Sequence, residues 1–535
     1  MMTLDTSLSI ALTGLRASAA GLRTVANNVA NAETPGYTRK TLPTLATAPD
    51  ETGMGVELAD LRRNVDAALQ REVFARGAVV SGLDTRETLL RGVEAVHGQP
   101  QDGDSLAGLM ARLTDAFNAL AAGPSAATTQ QEVVRAAGAI AAKLNGLSAA
   151  VTDARNRAHG ELVTSARTVN DALAEIDRLT VQIRNAIASG HQVPDLEDRR
   201  DAALERLTAE TGARFLIRSD GSILITGPNG FTWPTTKAKG AADGPLAIAP
   251  AELRAGSYYD PAGGTVPGVI VTDPGNPTQP QDITAVLTGG RIGELIALRD
   301  STLPTMQAEL DEFAKTLARR FDQQGLRLFS DGMGNVPGES TLAVQAGYVG
   351  FAASIRVFAP VEADARLVRD GTHAIPNGLP PAPATIATAN PQGSNFTPNP
   401  PGGPAGFDVL ARRIIEYALG SALSPGVAHD PQLATRGLGA GGRLVSEIPP
   451  HARLADFAAS LVAVQTGLRA RASEAKQAET AARDLLRNRL ADAAGVNVDQ
   501  EMSLMVQLQN AYQASARVLQ TNRELWDTLY QATNR

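Results

Sequence analysis

Cysteine is absent from the chain, so it has no disulfide framework, no thiolate nucleophile and no cysteine-ligated metal. Aromatic residues are scarce, at 4%, while alanine, leucine and small polar residues dominate. That mix suits long helices with slim side chains better than compact cores of bulky groups. Cations are not in excess: 49 Lys and Arg stand against 56 Asp and Glu. With no basic stripe either, nucleic acid is not expected as a main partner. No uninterrupted apolar run reaches membrane-spanning length, so membrane insertion is not expected. The opening "SLSIALTGL", followed by "ASAA", mimics a signal peptide. Asp5 precedes the first positive side chain, Arg16, so the basic leader region is missing and no cleaved signal peptide is expected.

Catalytic chemistry is equally thin. His97, His159, His191, His373, His429 and His451 are scattered, with no zinc spacing among them. "PDLEDRRDAALER" bunches Asp195, Glu197, Asp198, Asp201 and Glu205 with Arg199, Arg200 and Arg206. Charges alternating in sign along a helix read as a solvated face. "DGMGNVPG" and "GLGAGG" lack the strand, helix and Lys-Ser/Thr context of a phosphate loop. No catalytic residue, cofactor-binding residue or metal ligand is predicted.

The two ends of the chain are better marked. Leu8, Ala11, Leu15, Ser18, Leu22, Val25 and Val29 alternate by three and four residues, the heptad seam of a coiled coil. Residues 3 to 32 would form a rod roughly 45 Å long. Its polar face is Ser, Thr, Gly and Asn rather than Lys and Glu, so both faces suit contact. Asn28 is expected to flank the seam, with Asn27 and Asn31 on the outer face. The helix should stop near residue 32, because Thr34 precedes a proline and Pro35-Gly36 suit the centre of a type II turn. Thr34, Pro35, Gly36 and Tyr37 are thus a candidate hinge turn. At the other end, Leu504, Leu508, Ala511, Ser515, Val518, Asn522, Leu525 and Leu529 make one seam and Met505, Tyr512, Leu519 and Trp526 a second. So wide a stripe predicts that the terminal helices pair and still offer surface to further helices. Leu8, Leu15, Leu22, Val29, Asn27, Asn28, Asn31, Leu504, Leu508, Tyr512, Leu519, Leu525 and Trp526 are the candidate assembly interface.

Between the ends, helical patterning fills about 57 to 96, 104 to 122, 130 to 189, 194 to 210 and 454 to 490, with a break at Gly495 and Asp499 as N-cap. The segment from 288 is also helical, interrupted near Pro304. "ARFLIRSDGSILITGPNG" signals a hairpin about Asp220-Gly221, "GTVPGVIVTD" adds a strand, and "AASIRVFAP" is strand-like. Residues 375 to 405 are too rich in Pro, Gly and Asn for a packed element. The predicted fold is mainly α with inserted β: an elongated multi-domain rod with paired terminal helices, a long helical bundle and an outer β-rich part. The terminal unit is 1–45 with 496–535, the bundle is 46–210 with 286–328 and 406–495, and the β-rich regions are 211–285 and 329–405.

"LRTVANNVANAETPGYTRK" resembles the N-terminal motif of the axial proteins of the bacterial flagellum, and "GVNVDQEMSLMVQLQNAYQASARVLQTNRELWDTLY" their C-terminal motif. "IDRLTVQIRNAIASGHQVPDLEDRRDAALERL" and "LTGGRIGELIALRDSTLPTMQAELDEFAKTLARRF" are similar to segments of the hook-associated protein 1 family. The resemblance implies a structural protein exported through the flagellar type III channel to an extracellular position. It would form a ring between hook and filament, with the terminal helices lining the core and the β parts outward. The implied partners are copies of itself, the hook protein, the second hook-associated junction protein and an export chaperone. A hook or distal rod protein shares the terminal motifs, and an exported adhesin using its β inserts for binding is a reading from another class.

Overall fold

The computed structural model describes residues 2–46, 55–98, 103–234, 244–273, 278–338, 347–375, 395–424, 427–429 and 433–533. The fold is mainly helical. Its first helix, α1 (Met2–Ala30), is followed by four short strands: β1 (Lys40–Thr41), β2 (Thr44–Ala46), β3 (Val56–Leu58) and β4 (Arg62–Arg63). They pair antiparallel as β2–β3 and β1–β4. A helix from residue 57 is therefore not formed. Cross-strand pairing with 40–46 claims that stretch, and the helix begins only after Asp66, whose carboxylate accepts from the backbone N–H of Ala68 at 2.9 Å and of Leu69 at 3.0 Å.

The body is built from α2 (Ala67–His97), α3 (Leu106–Ala122), α4 (Ala127–Ala188) and α5 (Pro194–Thr211). At 62 residues, α4 is about 90 Å long and is the spine. Its Val133, Ala137, Ile140, Leu144, Leu147, Val151 and onward to Leu173 and Ile176 are buried at helical spacing. Proline in the first turn of α5 costs no hydrogen bond, and Gly212, at φ +66°, ends that helix in the left-handed region. The hairpin about Asp220-Gly221 forms as β5 (Arg214–Ile217) and β6 (Ile223–Thr226), with Gly221 at φ +81°. β7 (Leu246–Ile248), β8 (Val269–Val271) and β9 (Gln281–Asp282) make a three-stranded antiparallel sheet.

Next come α6 (Gly290–Ala297), a π-turn at Leu298–Thr302 and α7 (Leu303–Asp322). The expected interruption near Pro304 takes the form of a local widening of the helix rather than a break. The π-turn runs straight into α7 and ends just before the proline, which has no N–H to donate, and the Arg299 carbonyl accepts from Arg155 Nε at 2.7 Å.

From 329 the sequence reading fails more widely. β10 (Phe329–Ser330) and β11 (Arg356–Val357) form a two-residue ladder, and around it lie short helices: α8 (Phe351–Ser354), α9 (Ala359–Ala363) and α10 (Leu367–Asp370). "AASIRVFAP" is thus mostly helical turn, with Pro360 fitting the first turn of α9. Most of the Pro/Gly/Asn-rich stretch, 376–394, lies outside the described residues.

Residues 406 to 453, expected to be helical, contain α11 (Val409–Arg413) and a π-turn at Ile414–Ala418. Two hairpins follow, β12 (Ala422–Ser424) with β13 (Val427–Ala428) and β14 (Arg436–Leu438) with β15 (Leu444–Val445). Gly437, Gly439 and Gly442 all have positive φ there, which a helix does not allow. α12 (Leu454–Ala494) then packs along α2, and α13 (Val498–Thr533) returns along α1. The N-cap of α13 is Asn497, not Asp499: its side chain accepts from the Gln500 N–H at 3.2 Å. Among the described residues, no helix is long and apolar enough to cross a membrane.

Candidate assembly core and its joint

α1 and α13 run antiparallel in a heptad register that can be read contact by contact. Ser7 Oγ donates to Asn522 Oδ1 at 3.0 Å. A Cβ on Gly14 would lie 3.2 Å from Ser515 Oγ, and one on Gly21 would lie 3.0 Å from Leu508 Cδ1. Asn28 Nδ2 donates to Glu501 Oε2 at 3.0 Å. Each step forward by seven on α1 is a step back by seven on α13.

The seam is therefore Ser7, Gly14, Gly21 and Asn28, with Ala11, Ser18 and Val25 buried between them. It shares only the second half of the predicted heptad. Leu8, Leu15, Leu22 and Val29 are half-buried along its flank. Glycine and serine in the seam let the backbones approach more closely than a leucine seam permits.

On α13, Glu501 and Asn522 are buried and Leu504, Leu508 and Leu519 half-buried. Tyr512, Leu525 and Trp526 are 38%, 50% and 41% exposed, so this chain's own α1 does not cover them.

Beyond Ala30 the chain turns where predicted. Tyr37 N–H donates to Thr34 O at 3.1 Å, and Gly36 sits at φ +79°. The turn brings the following strand back onto Asn28, which is 1% exposed and belongs to the seam rather than its flank. Asn28 Oδ1 accepts from Lys40 N–H at 3.1 Å and from Tyr37 Oη at 2.9 Å. Its Nδ2 donates to Lys40 O at 2.9 Å as well as to Glu501. That is the full capacity of a side-chain amide. Glu501 accepts in addition from Arg39 Nε at 2.7 Å, and Arg39 N–H donates to Ala494 O at 2.8 Å. A single buried knot thus joins α1, the strand after the turn, the end of α12 and the start of α13. Asn27 is exposed and Asn31 half-buried. They bond to each other, Asn31 Nδ2 donating to Asn27 Oδ1 at 2.8 Å, so both lie outside the seam as expected.

The acidic cluster on α5 is a solvated face only in part: Asp195, Arg199 and Arg206 are exposed, while Asp198 and Asp201 are largely covered. Lys40 is 2% exposed, and its ammonium pairs with Asp195 and, at 3.3 Å, with Asp198, while lying 3.8 Å from the centre of the Tyr37 ring. Thr38 Oγ1 donates to Asp198 Oδ1 at 2.7 Å. Arg63 reaches Glu197 at 2.9 Å, Asp198 at 3.1 Å and Asp201 at 2.6 Å, and Gln70 donates to Asp201 at 3.0 Å.

Burial works against the charge on Lys40, but the Asp195 hydrogen bond and the Asp198 carboxylate outweigh it and its pKa is raised. Arg63 is raised in the same way, burial being overcome chiefly by Asp201 and Glu197. Asp195 and Glu197 also occupy the first turn of α5, where the helix dipole favours negative charge. The cluster is a socket for cations that arrive from more than a hundred residues away, which is why the local pattern did not reveal it. Clefts of about 390 and 520 Å³ flank the Pro35-Gly36 turn, bounded by α5 and by the end of α12.

Comparison with known proteins follows the same outline. Residues 90–332 match the flagellar hook-associated protein FlgK helical domain, 8–38 the flagella basal body rod protein family, and 492–532 the C-terminal family of the flagellar basal body rod FlgEFG proteins. Flagellar hook-associated protein 1 of Salmonella typhimurium is 24% identical over 323 residues, covering 59% of this chain and 55% of that protein. The Bacillus subtilis protein of that name is 26% identical over 239 residues, covering 41% and 47%. The chain thus spans about half the length of the curated relatives it matches. The solved flagellar hook junction protein FlgK from Burkholderia pseudomallei aligns over 50% of this chain and 46% of its own, at 23% identity and a TM-score of 0.40. The match to the FlgK helical domain is thus bracketed by rod-family matches at both ends, and the chain is similar along this length to the flagellar hook-associated proteins.

Proposed function

We propose that this chain is a structural subunit of the bacterial flagellum that joins hook to filament, assembling through its terminal helices with copies of itself. The observation that carries this reading is the antiparallel pairing of the two chain ends, which leaves apolar side chains uncovered on both helices. Ile10 and Leu12 on α1 and Met502, Val506, Val518, Leu525 and Trp526 on α13 are 39% to 52% exposed. Uncovered apolar side chains on helices so sparsely charged, with Asp5, Arg16 and Arg23 in α1 and Arg517 alone between Met502 and Asn522 of α13, favour burial against further helices. In this reading 1–45 and 496–535 form the inner layer, 46–210, 286–328 and 406–495 the body, and 211–285 and 329–405 face outward. The hook protein and the second hook-associated protein are the neighbours along the axis. The chain travels through the flagellar export channel, and an export chaperone covers α13 until assembly. It performs no catalysis.

A strain lacking the chain tests this reading by electron microscopy. It should carry hooks without filaments, and the restored gene should return the filaments. The rod-family matches at both ends support a second reading, a hook or distal rod subunit. In that case the deletion strain lacks hooks as well.

A further inference from the structure

An open strand edge and a basic groove lie side by side on the body. β5 pairs with β6 along one edge, and among the described residues its other edge has no backbone partner. Leu216 and Ile217 on that strand are 53% and 37% exposed. They border a groove of about 490 Å³ whose walls include Leu61 and Val65 and whose rim carries Arg62 and Arg71. Both arginines are exposed, and neither has an ion pair among the described residues. An exposed apolar edge strand is a template for another strand, with main-chain bonds supplying affinity and side-chain pockets supplying selectivity.

The complement of this surface is on the same chain. In the β2–β3 hairpin Leu45 lies opposite Glu57, so an apolar side chain and a carboxylate share one face of the ladder. Leu45 is 58% exposed and all of β2 is exposed. Glu57 is exposed and has no ion pair among the described residues. We propose that the β2–β3 hairpin of one copy docks on the β5 edge of a second copy, Leu45 entering the groove and Glu57 meeting Arg62 and Arg71. The two patches differ, so the contact is head-to-tail and propagates into a ring or helix rather than closing a symmetric pair. The inference rests on the self-assembly reading above and names the surfaces that carry it.

The absence of cysteine gives a clean background for disulfide mapping. A strain making the full chain in two forms, Leu45→Cys and Leu216→Cys, is compared with strains making either form alone. Flagella with their hooks are collected and mildly oxidised, and the dimer of this chain is measured on non-reducing gels. A head-to-tail contact predicts a dimer about tenfold stronger in the mixed strain than in either single strain. Adding Glu57→Arg to the Leu45→Cys form should lower it by more than about tenfold, because like charges then face each other. If the chain is present in the flagella but the mixed strain gives no excess of dimer, the docking is overturned. Equal dimer in the Leu45→Cys strain alone overturns the head-to-tail arrangement. Absence of the chain from the collected flagella overturns the assembly reading itself, and this inference with it.

Discussion

Asn28 is the residue on which the most depends, because its amide has no spare bond. Replacing it with alanine leaves the Lys40 N–H and C=O and one oxygen of buried Glu501 without partners. The cost should be about 2–5 kcal/mol, concentrated in the joint. Hydrogen exchange checks this: Asn28→Ala should lose protection in residues 2–46 and 498–533 while α3 and α4 keep theirs. Gly36 is a different case. Nothing lies within 4 Å of a Cβ there, so the penalty for Gly36→Val comes from its φ of +79° alone, about 1–2 kcal/mol. The body should melt as in the unmodified chain, and the defect should appear as a misdirected α1.

Among the elements, the helix spans, the Asp220-Gly221 hairpin and the Pro35-Gly36 turn were legible because periodicity and turn chemistry are local. The seam of the terminal pair was legible only in part. Its heptad is written in the sequence, but which side of it faces inward depends on a partner helix some five hundred residues away. The glycines and serines that permit close approach look like surface in a one-dimensional reading, while the leucines look like core. The α5 socket stayed hidden for a related reason: its cations belong to the strands after the turn. Residues 406 to 453 misled because apolar residues among glycines carry no clear period.

The seam makes a paired prediction. Gly21→Ile pushes a branched side chain into Leu508 and should cost about 1–3 kcal/mol of coil stability. Gly160→Ala, on an exposed turn of α4 with nothing within 4 Å of the new Cβ, should stabilise the body by about 0.5–1 kcal/mol. Denaturant midpoints of the two variants would separate the cases.

For the whole molecule, the buried titratable groups set how stability follows pH. His97 and His429 are held neutral by burial, with pKa pushed down to about 4. An unfolded histidine takes up its proton near 6.5, so each opposes folding increasingly as pH falls from about 6.5 to 4, by about 2–3 kcal/mol at pH 4.5. Asp311 works the other way. Burial raises it to about 7 despite the Gly350 and Ala352 N–H bonds it accepts, so it adds stability as pH falls from about 7 towards 4. His159, lowered by burial, acts with the two histidines, and Glu309 and Glu210, raised by burial, act with Asp311. Between pH 7 and pH 4.5 the urea midpoint should shift in favour of the acid condition when His97 and His429 are both changed to glutamine, relative to the unmodified chain. An equal slope in the two proteins would contradict the assignment.

In the function proposed above, the knot of Asn28, Glu501 and the strand after the turn sets the direction of the terminal pair, and through it assembly, while the body folds without it. The most direct measurement is the number of filaments per cell in a strain whose only copy of the chain carries Asn28→Ala. The chain should be made and exported at the normal level, filaments should be largely lost, and filament protein should collect in the medium. A normal number of attached filaments on that strain would contradict it.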